Sequence, residues 1–177
     1  RAIRICLDQT ALFKIQLRAI LRAGYYGKVK IMFPMITSLE EVLQAKSLLE
    51  EAKRELQERG MPFDDRMEVG IMIEVPAAVA IADWLADEGD FFSIGTNDLV
   101  QYVLAVDRMN EKIAHLYDPY HPAVVRMLKS LVQTAKEKGV PISVCGEMAG
   151  DLRGVPLWIA LGVTDLSMSP HSILQVK

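Results

Sequence analysis

Cysteine is scarce. Cys6 and Cys145 are the only two in 177 residues, too few for a disulfide framework, which points to a cytoplasmic protein. Long apolar runs are missing: none reaches the roughly 20 residues of a membrane-spanning helix, so no membrane insertion is expected. Basic clusters are missing too. The formal net charge is −3, and without a Lys/Arg stripe nucleic-acid binding is disfavoured on electrostatic grounds. The start, Arg1-Ala-Ile-Arg-Ile-Cys6, lacks the apolar core and cleavage site of a signal peptide. Neither G-x-G-x-x-G nor G-x-x-x-x-G-K-[ST] occurs, so no phosphate-cradling glycine loop of a nucleotide site is present. What remains is a globular balance, 51% apolar and 24% charged. Arg at one end and Lys177 at the other, with no tail, suggest a piece of a longer protein.

Five apolar runs read as strands, at 28–35, 68–75, 90–96, 141–147 and 165–169. They are rich in Ile, Val, Met and Phe with mostly uncharged interiors, which suits strands covered on both faces of a parallel sheet. Helical patterns lie between them. Residues 38–59 carry apolar side chains near 3.6 spacing, a Ser38/Glu41 capping box and a stop at Gly60. Pro76 opens a helix over 77–88, another runs 122–138 to Gly139, a shorter one 151–161 to Gly162, and 8–22 is amphipathic. This alternation leaves an open doubly wound sheet or a (βα)8 barrel. Acidic and polar residues recur at the C-terminal ends of several strands, the habit of a barrel. Five strands cannot close one, so about three more are expected upstream, and residues 1–177 read as part of a single barrel domain.

The sharpest chemistry sits at two strand ends. Glu74 closes the run Met67-Glu-Val-Gly-Ile-Met-Ile-Glu-Val-Pro76, and Asn97-Asp98 closes Asp90-Phe-Phe-Ser-Ile-Gly-Thr-Asn-Asp98. With a helix between them, the two strands should be parallel and both carboxylates should emerge at one edge. At a strand spacing of roughly 4.8 Å two bare carboxylates repel, and a hard divalent cation such as Mg²⁺ relieves the conflict. The bland alternative is that each is a helix N-terminal charge favoured by the dipole. Arg108, in Leu104-Ala-Val-Asp-Arg-Met-Asn110, could bind phosphate or carboxylate through its fork, although such an arginine alone is more often a solvated surface residue. Arg1 and Arg4 are ordinary surface residues on the same grounds. Cys145 stands at the exit of the fourth strand, before Gly146 and Glu147. A strand cysteine is usually small core filling, but a thiol at this mouth could be a nucleophile or a general acid. Neighbouring carboxylates keep its proton on and favour the acid. Cys6 reads as packing, and His115, His121 and His171 show no paired ligand spacing.

Met32-Phe-Pro-Met35, Gly70-Ile-Met-Ile-Glu-Val-Pro-Ala77, the Asp90–Leu99 run, Ala105-Val-Asp-Arg108 and Val144-Cys-Gly-Glu-Met-Ala-Gly150 together resemble the phosphoenolpyruvate-utilising enzymes. Within them the chain is most similar to the enzyme I family of the bacterial phosphoenolpyruvate-dependent sugar phosphotransferase system, over its C-terminal domain. The resemblance implies a (βα)8 barrel of the phosphoenolpyruvate/pyruvate type, here incomplete, that binds phosphoenolpyruvate and Mg²⁺ and forms a homodimer. It implies Glu74 and Asp98 as metal ligands, Asn97 and Arg108 as phosphate contacts, Arg1 as a substrate arginine and Cys145 as proton donor to the enolate. It also implies phosphoryl transfer to a histidine in an N-terminal part absent here, and onward to a histidine-containing phosphocarrier protein. Further phosphate-binding arginines belong to the absent upstream strands.

Other members of the superfamily, pyruvate phosphate dikinase and phosphoenolpyruvate synthase, share the Gly-Thr-Asn-Asp and Cys-Gly patterns. A Mg²⁺-dependent pyruvate aldolase would use the carboxylates but not Cys145. A module for dimerisation and ligand sensing is the non-enzymatic alternative. Open sheet edges and uncovered apolar surface lead to the expectation that the isolated segment self-associates and binds substrate weakly.

Overall fold

The computed structural model describes residues 1–177. Helices α1 (Ile3–Asp8) and α2 (Thr10–Gly24) precede strand β1 (Ile31–Phe33). Then follow α3 (Leu39–Glu58), β2 (Val69–Ile73), α4 (Pro76–Ala80), α5 (Ala82–Leu85), β3 (Phe91–Gly95) and α6 (Thr96–Leu104). The chain continues through α7 (Pro122–Lys138), β4 (Ile142–Cys145), α8 (Glu147–Gly150), α9 (Val155–Leu161), β5 (Asp165–Leu166) and α10 (Pro170–Val176).

All five strands are parallel, and their spatial order is their chain order, β1-β2-β3-β4-β5. In a doubly wound sheet the strand order reverses at a switch point. Here every strand adds on the same side, so the sheet is a five-stranded part of a (βα)8 barrel. Ile71, Ile73, Phe92, Ile94 and Val144 of the central strands are fully buried. They join Leu49 and Leu56 of α3, Leu128 and Leu131 of α7 and Trp158 of α9 in one continuous core.

Local chemistry explains the helix limits. Ser38 caps α3 by accepting from the Glu41 amide, while the Glu41 carboxylate accepts from the Ser38 amide, as a capping box requires. Helix α7 spans the expected residues and stops at Gly139, and α9 stops at Gly162, both glycines left-handed with φ of 69° and 76°. The expected helix over 77–88 is instead α4 and α5, because Ile81 leaves helical geometry at φ −115°, ψ 22°. The amphipathic 8–22 segment likewise starts later, at Thr10, after Gln9 breaks it from α1. The edge strands β1 and β5 are shorter than their apolar runs, since each has only one neighbour to pair with. The segment 151–161 begins with a 3-10 turn, Leu152–Gly154, rather than α-helix.

Candidate active site

The largest correction falls on the strand ends. Asp98 does not end a strand: β3 stops at Gly95, and Thr96, Asn97 and Asp98 form the first turn of α6. Glu147 likewise opens α8 rather than closing β4. Two side chains enforce the early turn into α6. The Thr96 hydroxyl donates to the Cys145 carbonyl at 2.8 Å, and Asn97 Oδ1 accepts from the Glu147 amide at 2.9 Å. Asp98 therefore sits at a helix N-terminus, where its charge is favoured, and still faces the C-terminal edge of the sheet. The helix-charge alternative and the ligand reading thus describe the same position.

Glu74, between β2 and α4, is 5% exposed. Its Oε1 accepts from the backbone amide of Met35 at 2.8 Å. Met35 takes a left-handed φ of 57° after β1. Burial raises the Glu74 carboxyl above its ordinary pKa, and the Asp98 charge adds to this, while the Met35 amide and Arg1 hold it down. Gly95 is part of the same cradle. A Cβ there would stand 2.7 Å from Glu74 Oε2, so only glycine leaves that oxygen its space. Asp98 Oδ2 accepts from Arg1 Nη2 at 3.0 Å. The expected solvated arginine is thus drawn to the carboxylate pair, and the ion pair raises its pKa.

These donors fit a Mg²⁺ ion by their chemistry. Two hard carboxylates meet at one edge, Glu74 accepting the Met35 amide through Oε1 and feeling the Asp98 charge. Two carboxylates alone would leave the remaining positions around a Mg²⁺ ion to substrate oxygens and water.

Cys145 ends β4 directly beside Gly95 of β3. Its thiol donates to the Ile94 carbonyl with Sγ at 3.4 Å. Burial pushes the thiol pKa up, and the Glu74 charge pushes the same way, against a hydrogen bond to Ser93. A thiol held protonated is suited to give a proton rather than to attack. Gly146, at φ 91°, turns the chain so tightly that a Cβ would meet Thr96 Oγ1 at 2.5 Å. Beyond it a cavity of about 440 Å³ opens, lined by Asn97, Cys145, Glu147, Asp151 and the serines 167, 169 and 172 among others. Arg108 follows α6, its amide donating to Gln101 Oε1 at 3.3 Å, and its guanidinium lies beside the Tyr117 hydroxyl.

The structure therefore brings Arg1, Glu74, Asp98, Asn97 and Cys145 to one edge, with Arg108 approaching through Tyr117. Cys6 packs against the core, and His121 caps α7 by accepting from the Ala123 amide. The sequence reading missed Met35, Gly95 and Tyr117. The αL conformation of Met35 and the Gly95 cradle had no local signal, because each depends on a residue far along the chain.

The elevated Glu74 pKa has a consequence for stability. An acid whose folded pKa lies above its unfolded value costs folding free energy when ionised; that cost begins to shrink as the pH falls through the raised value and is gone below the unfolded one. Glu74→Gln removes the charge and keeps an oxygen for the Met35 amide. The metal-free variant should unfold at a higher temperature than the parent at neutral pH, with the gain closing in mild acid. Calorimetric melts across that range check this. A lower midpoint at neutral pH would mean that the buried charge is compensated.

Fold and site together define a barrel segment with carboxylates, arginines and a thiol at its C-terminal mouth. The family model described as PEP-utilising enzyme, PEP-binding domain, matches residues 1–177, and the chain belongs to this family. It is similar to phosphoenolpyruvate-protein phosphotransferases over all 177 residues: 51% identical to that of Bacillus sp. (strain S), 50% to that of Priestia megaterium and 49% to that of Staphylococcus carnosus. The chain spans 31% of the length of each of these relatives. Among solved structures, a citrate lyase from Burkholderia xenovorans superposes with TM-score 0.65 at 21% identity, over 92% of this chain and 52% of that one. A pyruvate kinase from Cryptosporidium parvum superposes with TM-score 0.66 at 13% identity, over 90% and 33%. At these identities the two structures speak to the barrel fold alone.

Proposed function

We propose that this chain is the phosphoenolpyruvate-binding part of a phosphotransferase that moves the phosphoryl group to a histidine outside these residues. The observation that carries the reading is the meeting of Glu74 and Asp98 with a protonated Cys145 thiol at one sheet edge. The curated relatives support it by name. Arg1 and Arg108 bind the anionic substrate, with the Asn97 amide positioned for the phosphoryl oxygens. A Mg²⁺ ion held by Glu74 and Asp98 would supply neutralisation of the phosphoryl charge. The P–O bond to the enol oxygen breaks as a P–N bond to the imidazole forms. The enolate left behind takes the Cys145 proton at its terminal carbon and becomes pyruvate, and the thiolate regains a proton from solvent.

In this reading the parent protein starts the bacterial sugar phosphotransferase system in the cytoplasm as a homodimer. It passes the phosphoryl group to the histidine-containing phosphocarrier protein. The test is to incubate the full-length protein with phosphoenolpyruvate labelled in the phosphoryl group. Acid-labile label should appear on a histidine with Mg²⁺ alone and disappear on chelation. A requirement for a nucleotide would overturn the reading in favour of a dikinase or synthase.

A further inference from the structure

We propose that Thr96 is a positioning residue for proton delivery: together with Asn97 it clasps the main chain on both sides of Gly146 and so fixes where the Cys145 thiol stands. This rests on the phosphoenolpyruvate reading above and deepens it.

The sheet leads directly to the clasp. Strands β3 and β4 pair in parallel, and the Phe92 amide donates to the Pro141 carbonyl at 2.8 Å. Donors and acceptors on one edge of a strand recur every second residue. Followed along both strands, from 92 to 96 and from 141 to 145, that series brings Thr96 to the Cys145 carbonyl. By then β3 has ended and Thr96 lies in the first turn of α6. Its hydroxyl makes the bond, at 2.8 Å. On the opposite edge of β4 the Ser167 amide donates to the Val144 carbonyl at 2.8 Å. Cys145 is thus held at its carbonyl by Thr96 and at Sγ by the Ile94 carbonyl, 3.4 Å away.

Gly146 makes the restraint necessary. At φ 91° and with no Cβ, it leaves the peptide plane between Cys145 and Gly146 free to rotate unless something holds it. Thr96 Oγ1 holds the carbonyl before the glycine, and Asn97 Oδ1 holds the Glu147 amide after it at 2.9 Å. The clasp closes over the bare Cα: a Cβ there would lie 2.5 Å from Thr96 Oγ1 and 2.9 Å from Asn97 Oδ1. The Tyr117 hydroxyl donates to the Asn97 carbonyl at 3.2 Å and ties the same turn of α6 to the connection before α7. Thr96 is fully buried. Valine would fill nearly the same space, so packing alone does not call for a hydroxyl. A buried hydroxyl is kept for its hydrogen bond.

The consequence is chemical. Thr96, Asn97 and Asp98 are consecutive, so one helical turn holds a carboxylate of the metal pair and also steadies the residue that gives the proton. The cavity of about 440 Å³ borders Cys145, Asn97 and Glu147 and is large enough for water. An enolate beside it can take a proton from the thiol on one face or from water on either. Misplacing a reacting group by about 1 Å can cost ~100-fold, enough for water to compete.

The test is a single turnover of the full-length enzyme in heavy water. The phosphoenolpyruvate carries tritium at one defined C3 position, so that protonation creates a chiral methyl group. Parent and Thr96→Ser should give pyruvate of one configuration. Thr96→Val should lose it and give a mixture. The configuration is read on the pyruvate formed, so it does not depend on how fast the phosphoryl group leaves. A merely structural role would slow the whole reaction and leave a single configuration. Thr96→Ala, which removes the hydroxyl without a second methyl against the carbonyl, is the reserve should the valine protein not fold. A single configuration from a hydroxyl-free protein overturns the proposal, as does a mixture from Thr96→Ser. Failure of both hydroxyl-free proteins to fold or turn over overturns it too, because the hydroxyl would then serve the fold rather than the thiol. A mixture from the parent would instead take the donor role from Cys145 itself, and the positioning role would fall with it.

Discussion

Asp98→Asn in the full-length enzyme should weaken Mg²⁺-dependent phosphoenolpyruvate binding by roughly 1.5–3 kcal/mol, the cost of losing one charged partner, and reduce turnover further. The substitution is nearly isosteric and stays compatible with the first turn of α6, where asparagine is tolerated. What it removes is charge. Asp98 is the half-buried member of the pair and Glu74 the buried one, so without Asp98 the remaining carboxylate is still raised in pKa by burial and is a poor cation ligand alone. Arg1 loses its partner as well. Titration of Mg²⁺ against phosphoenolpyruvate binding, in parent and variant, is the measurement. An unchanged Mg²⁺ dependence would remove the metal from these two residues.

Cys145→Ala should divide the reaction in two. Phosphoryl transfer to the acceptor histidine should persist, because the thiol takes no part in P–O cleavage. Pyruvate should no longer form on the protein: enolpyruvate leaves and tautomerises in water. Loss of a positioned general acid slows enzymatic protonation by roughly 10²–10⁴-fold. The test uses phosphoenolpyruvate labelled stereospecifically at C3, in heavy water, so that protonation creates a chiral methyl group. The parent should give one configuration and the variant a racemic mixture. A single configuration from both would exclude the thiol as donor. The physical basis is the raised thiol pKa, caused first by burial at the end of β4 and then by the Glu74 charge. A thiol in bulk water next to arginines would ionise more readily.

Much of the frame follows from short-range pattern. The capping box at Ser38 and Glu41, the proline start and glycine stop of α7 and the apolar runs of β2, β3 and β4 are all local preferences that tertiary packing reinforces. The reading fails where two preferences compete within a few residues. Gly95-Thr96-Asn97-Asp98 continues an apolar run, yet Thr, Asn and Asp also suit a helix start. Hydrogen bonds to the Cys145 carbonyl and the Glu147 amide decide for the helix. The length of β1 and β5 was unreadable for a different reason: strand extent depends on what lies alongside, and each has one neighbour.

The alternation of strand and helix, the parallel sheet and the presence of carboxylates and a thiol near the C-terminal edge of that sheet were legible in the order of residues alone. Periodicity, caps and turn residues act over a few positions and can be read in a line. How those groups are poised emerges only once the chain has folded. The Met35 amide reaches Glu74 across 39 positions, Arg1 reaches Asp98 across 97 and Tyr117 reaches Asn97 across 20. Such bonds set which oxygen is engaged, which proton is held and which arginine is steadied. They depend on the approach of distant segments when the apolar faces of the sheet are buried, and no local spacing encodes that approach.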